Sequence, residues 1–189
     1  MGVSEDNKKI AQAALSAFEG KPKVFEYSDD NNESSIDILC SSNDMHNSLS
    51  FSTIGLSDFS VGYDYNEIPL RIELVGASQF ECFANVLATC AFNIINSNYK
   101  CYPGIIFNDI VKMYLPNSPM RHILFVTPFL WEDSLKTMNF INRQVAWLMA
   151  VPISEAERIY ADEHGSEALE ELFEVKQISV FDLERSSTI

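Results

Sequence analysis

VAWLMAVPISEAE, residues 145–157, is the stretch on which the fold turns. Seven apolar residues in succession, 145–151, leave a strand no polar face to offer water, so the run reads as a central strand covered on both sides. Pro152 has no N–H for a ladder and is expected to end that strand. Ser154 and Glu157 have capping-box spacing, in which each side chain accepts the other residue's backbone N–H, and so open an acidic helix. Gly165 should break this helix, with Ser166 capping a continuation to about Val175.

Upstream, a shorter apolar run, 123–126, reads as a second central strand closed by Pro128. Pro103 and Gly104 introduce a short strand at 105–107. Ser78 and Glu81 repeat the capping-box spacing and are expected to open a long helix that ends near Ser97. That helix should bury Phe83, Val86, Leu87, Cys90, Ile94 and Ile95. Residues 82–99 carry no charge, yet Asn85, Thr89, Asn93 and Asn96 make a polar stripe at helical spacing, the mark of a core helix in a soluble protein and not of a membrane span.

Residues 4–19 have the pattern of an amphipathic helix ended by Gly20, while 23–27 and 35–39 read as strands joined by a polar turn, 28–34. A third strand is expected at 51–54. Val61, Tyr63 and Tyr65 alternate with Gly62 and Asp64, and Leu70, Ile72 and Leu74 alternate with Arg71 and Glu73. That pattern predicts a hairpin of half-buried strands turning at Asn66 and Glu67. There is no internal repeat and no long linker in 189 residues that are 47% hydrophobic, a size suited to one core. The expected architecture is a single α+β domain over residues 1–189, a mixed, largely antiparallel sheet packed by N-terminal, central and C-terminal helices.

The formal net charge of −14 disfavours direct contact with nucleic acid, whose phosphates it repels, and favours a basic partner. Half of that excess lies in the last 39 residues, which hold 10 acidic and 3 basic groups. Glu163, Glu167, Glu170 and Glu174 fall on one helical face there, and with Asp29, Asp30 and Glu33 they are the candidate docking acids. The lysines near the N-terminus are not followed by an apolar run, so no secretory signal is expected. Cys40, Cys82, Cys90 and Cys101 form no Cys-x-x-Cys pair and read as reduced thiols of a cytoplasmic protein.

Catalytic and metal signatures find no footing. His46, His122 and His164 are scattered, and no zinc spacing, nucleophile elbow, phosphate loop or dinucleotide fingerprint occurs, so no metal or cofactor is expected. His122, at the start of a buried strand, reads as a hydrogen-bonded structural group, and His164 as a partner for the last carbonyls of a helix. Asp29, Asn31 and Glu33 resemble the start of a calcium loop, but Ser34 stands where glycine is needed and Cys40 where a bidentate glutamate is needed. Arg71 and Glu73 share a strand face, and Asp58 follows the Gly55-Leu56-Ser57 turn. Together they are expected to form a buried ion-pair network, with a ligand cleft, or even a hydrolase site, as the sharper alternative.

Several segments together resemble the suppressor-of-fused-like family. They are IGLSD (54–58), LRIEL (70–74), Pro103-Gly104, RHIL (121–124) and WLMAVPISEAE (147–157), followed by His164-Gly165 and Leu169, over about residues 50–172. In animals the family includes a longer, two-domain protein that restrains a transcription factor, and this chain is shorter than that arrangement needs. Its proportions are similar to those of bacterial members that accompany polymorphic toxins. From the N-terminal helix through NIINSN (93–98) it is especially similar to immunity partners of LXG-type toxins with nuclease domains. The resemblance implies an antitoxin that binds and neutralises its toxin in the cytoplasm and catalyses nothing. The alternative it leaves open is a regulatory binding module acting on an endogenous partner.

Overall fold

These patterns fold as four α-helices and one eight-stranded mixed sheet among the described residues of the computed structural model, which are 4–18, 20–43, 48–62, 68–131 and 133–189. In chain order they are α1 (Glu5–Phe18), β1 (Lys21–Ser28), β2 (Ser35–Asn43), β3 (Ser48–Ile54), β4 (Leu70–Ser78) and α2 (Phe83–Ser97). There follow β5 (Ile106–Phe107), β6 (Met120–Val126), β7 (Met138–Asn139), β8 (Gln144–Ser154), α3 (Glu155–His164) and α4 (Ser166–Lys176). The sheet order is β1-β2-β3-β4-β8-β6-β5, with β7 paired to the start of β8.

β8 runs through the middle. It pairs in parallel with β4 from Leu70↔Gln144 to Val75↔Met149, and antiparallel with β7 at its start and β6 at its end. Its side chains alternate between two cores, as the period of a strand requires. Leu148 and Ala150 join Leu74, Phe83, Leu87 and Phe125 on the side of α2. Val145, Trp147, Met149, Val151 and Ile153 join Ile10, Phe18, Leu169 and Phe173 on the side of α1 and α4. The uninterrupted apolar run is therefore the consequence of two roofs. Gly76 permits the close seating of α2, since a Cβ there would stand 2.4 Å from the Phe83 ring.

Three expectations need correction. Ser78 does not cap α2; it remains the last residue of β4, opposite Leu49, and its hydroxyl donates to Phe181 O at 3.3 Å and accepts from Phe80 N at 3.0 Å. The helix starts at Phe83 without a side-chain cap. Pro152 does not end β8 but lies within it, beyond Met149, where pairing with β4 has stopped, so the missing N–H forfeits no bond to that neighbour. Ser166 opens α4 as its first residue and does not cap it; the N-cap is Gly165 at φ 93°. The expected hairpin falls largely on residues 63–67, outside the described residues, as does His46. Val61 is buried outside any strand, and β4 has β3 on one side and β8 on the other.

The Ser154–Glu157 capping box forms as expected, with Glu157 N to Ser154 Oγ at 3.1 Å and Ser154 N to Glu157 Oε2 at 2.8 Å. Glu157 is nevertheless more than a cap. It is fully buried, and Arg185 meets it bidentately at 2.6 and 2.9 Å. Thr188 adds its N–H and hydroxyl at 2.9 and 3.0 Å. Arg185 also donates to Pro152 O at 3.0 Å and lies over the Phe173 ring. Burial alone would raise the Glu157 pKa, but Arg185 and these donors hold it below the usual carboxylate range. Arg185→Ala would strand a buried carboxylate without its cation and should cost about 3 kcal/mol in urea unfolding at pH 7. A loss below about 1 kcal/mol would show that the C-terminal segment is not held through this pair.

Candidate functional site

IGLSD and LRIEL are two halves of one arrangement. Glu73 on β4 is 0% exposed, and its carboxylate accepts from Thr53 Oγ1 at 2.6 Å and from the backbone N–H groups of Gly55, Leu56 and Ser57 at 3.1, 3.3 and 3.0 Å. Gly55, at φ 97°, takes the left-handed conformation that starts the Leu56–Asp58 turn and lets these three N–H groups converge. Burial pushes the Glu73 pKa to about 7 in spite of these hydrogen bonds. The expected Arg71–Glu73–Asp58 network is not what forms. Glu73 is met by backbone and Thr53, while Asp58 binds Arg143 Nη2 at 3.0 Å and Asn7 Nδ2 at 2.9 Å. Among the described residues no ion pair joins Glu73 to Arg71.

His122 on β6 is 2% exposed, with Nδ1 accepting Asp109 N–H at 3.0 Å and Nε2 lying 2.7 Å from Glu155 Oε2. With Nδ1 acting as acceptor, the ring proton is on Nε2, towards Glu155. Burial lowers the His122 pKa, and Arg158, bound to Glu155 at 2.7 and 2.9 Å, draws the Glu155 pKa down to about 2. Nδ1 thus ties β6 to the 109 turn, and Nε2 is buried against Glu155 at the start of α3. His164 likewise sits 3.2 Å from Tyr160 O and stacks on the Tyr160 ring. Among the described residues, no group of three or more His, Cys, Asp or Glu could hold a metal ion, and no helix is long and apolar enough to cross a membrane.

The candidate docking acids fall into two separate regions. Asp29 belongs to the β1–β2 turn, where Oδ1 accepts from Asn31 N and Glu33 N at 3.2 and 2.9 Å and Oδ2 from Asn96 Nδ2 at 2.8 Å. The Glu33 N–H is the largest of the contacts that lower its pKa. Its carboxylate builds the turn, leaving Asp30 and Glu33 as the exposed acids there. The other four acids do not share one helical face: Glu163 ends α3, and the break at Gly165 places Glu167, Glu170 and Glu174 on α4. Glu170 is half-buried, and burial followed by the charge of Glu167 raises its pKa.

Sequence reading gave no hint of the groove beside these residues. About 570 Å³ of space lies between α4, the ends of β6 and β8, and the Phe129–Trp131 turn. Val126, Val151, Phe173 and Val180 make a buried apolar floor. Glu170, Glu171 and Glu174 stand around it, and no cationic side chain pairs with any of them among the described residues. Arg143, Arg185 and Thr53 were also missed, because their partners lie far along the chain.

The Glu73 nest, the His122 strand and the Glu157 capping box all fall within residues 32–186, which match the family model for suppressor of fused protein (SUFU), and the chain belongs to that family. Along the whole of both sequences, over 192 aligned positions, it is 53% identical to "Immunity protein YqcF" of Bacillus subtilis (strain 168). Solved structures share the fold at low identity. A SUFU homolog from Neisseria gonorrhoeae FA 1090 superposes with a TM-score of 0.74 at 19% identity, covering 97% of this chain and 96% of that one. A chain of the Sufu-Fu complex gives 0.67 at 10% identity over 96% and 91% of the two chains. Drosophila Suppressor of Fused gives 0.65 at 10%, with 97% of this chain matching 50% of that one.

The folded form holds the Glu73 proton to a higher pH than the unfolded chain, so raising the pH from about 4.5 to about 7 removes stability through this group. Glu73→Gln, which cannot ionise, lacks that dependence. In urea unfolding across this window, wild type should lose about 3 kcal/mol relative to the Gln variant. A difference that stays constant with pH would show that the fold does not raise the Glu73 pKa above its unfolded value.

Proposed function

We propose that this chain is an immunity protein that binds and neutralises a cognate LXG-type polymorphic toxin whose C-terminal domain is a basic nuclease. It acts in the cytoplasm as a binding protein, without a catalytic step, a cofactor or direct contact with nucleic acid. The observation that carries the reading is the 53% identity, over all of both chains, to a protein named as an immunity protein. Its charge suits the role. Nucleases hold phosphate on positive surfaces, and a protein of net charge −14 is attracted to such a surface and competes with the nucleic acid for it.

Asp30 and Glu33 on the turn set by Asp29, and Glu163, Glu167, Glu170 and Glu174 on α3 and α4, are the acids assigned to this approach. They steer more than they hold, because exposed charges act mainly on association rate and its salt dependence. Asp58, Arg71, Glu73 and His122 are assigned to the scaffold.

A toxin domain encoded beside this gene should form a stable complex with the protein, and co-expression should restore growth to cells making the toxin. Failure of the purified pair to associate at low and moderate salt would overturn the immunity reading. Reversing Glu163 and Glu167 to lysine, or Asp30 and Glu33 to lysine, should slow association severalfold at low salt and leave the melting temperature unchanged. Association rates unchanged from wild type in both double variants would assign the acidity to solubility alone.

A further inference from the structure

We infer that the groove between α4 and the Phe129–Trp131 turn is the anchor site for the toxin domain, and that it takes an amphipathic segment presenting an apolar side chain flanked by arginine. The inference rests on the immunity reading above and adds to it a place and a chemistry.

Two features coincide there. The first is an apolar floor, Val126, Val151, Phe173 and Val180, open at the surface, with Phe129 at its lip 48% exposed. Interfaces concentrate their affinity in such pockets, which accept one or two large side chains and exclude water around them. The second is the set of carboxylates around the floor. Glu171 and Glu174 are exposed, Glu170 is half-buried, and the charge acting on Glu170 is the like charge of Glu167. An incoming cation would relieve a half-buried carboxylate that has no partner of its own. Arginine suits it better than lysine, because its planar fork binds carboxylates bidentately, sheds water more easily and stacks on an aromatic ring such as Phe129.

Sign distinguishes this groove from the others. One beside β1 carries Lys21 and Lys23 against the single acid Glu81, one beside β5 carries Lys100, and one lined by Ile72, Leu135 and Leu148 carries no charge. A basic partner is matched by sign at α4, while these three grooves among the described residues are net positive or uncharged in their lining. Acids that steer and apolar side chains that hold are thus neighbours on α4, so an encounter complex formed on Glu167 and Glu174 needs little sliding to reach the anchor.

The test uses the full chain with the toxin domain of the neighbouring gene, and two synthetic amphipathic helical peptides with a leucine face. One peptide carries arginine flanks; the other has glutamate in their place. The variants are Phe129→Asp and Glu174→Arg, both at exposed positions, with Ile141→Asp as the control, at a fully exposed site before the far end of β8. Thermal melting checks that each is folded. If the toxin domain binds wild type, Phe129→Asp should speed dissociation about tenfold or more, Glu174→Arg should weaken the complex, and Ile141→Asp should leave it unchanged. Groove variants that hold the toxin as tightly as wild type would overturn the groove while leaving immunity standing. If the toxin domain does not bind, the immunity reading fails, and the peptides decide the groove. Saturable binding of the arginine peptide alone, with shifts in the methyl resonances of Val126 and Val151, supports its chemistry. Binding of neither peptide, or of both equally, overturns it.

Discussion

A strand with no polar face has to be roofed twice, and the molecule is organised around that requirement. β8 supplies it: α2 covers one surface and α1 with α4 the other, so the sheet becomes the middle layer of three. The requirement extends to the edges of β8. β4 serves one edge only as far as Met149, and β6 serves the other from Met149 onward. Past that point the β4 side is open, and Arg185 reaches in to bond Pro152 O. A C-terminal segment is thereby drawn against β8 at the edge where its pairing with β4 has stopped.

Two buried carboxylates then do similar work in different ways. Glu157 is held by a cation and so keeps its charge. Glu73 has only dipoles, three backbone N–H groups and a hydroxyl, and these do not offset the loss of water in full. One ties the C-terminal segment to β8 and α3, and the other ties the turn after β3 to β4. Both are positioning devices, and neither opens onto the surface. His122 is buried as well, its Nδ1 bound to the Asp109 N–H and its Nε2 against Glu155, so these three groups are turned inward, away from the acid-rimmed groove at α4.

What could be read from sequence was what is local. The 145–151 run and the Ser154–Glu157 box announce themselves because strand period and helix capping are decided within a few residues. Ser78 and Glu81 have the same spacing and fail, because Ser78 is claimed by strand pairing with Leu49 and by Phe181, more than a hundred residues later. Glu73 was recognised as a buried charge in need of partners, but the partners proved to be the backbone of another motif. Asp58 found Arg143 in place of Arg71, a choice made by the approach of α1 and the loop before β8. The acidic helical face was legible as acid but not as two helices, since Gly165 reorients the chain between Glu163 and Glu167. Four segments build the groove and none of them carries a pattern that foretells it.

The Glu157–Arg185 pair has a further consequence in time. The partners are separated by 28 residues, which a ribosome adds in about 1 to 6 s. Until Arg185 is present, packing α3 against β8 would bury the capping carboxylate without the cation that makes its burial tolerable. Docking of α3 onto β8 with Glu157 charged therefore waits for a residue 28 positions further along the chain. A chain cut short between the two residues would keep the capping box but carry a buried acid without its cation, and so spend more of its time unfolded and open to proteases.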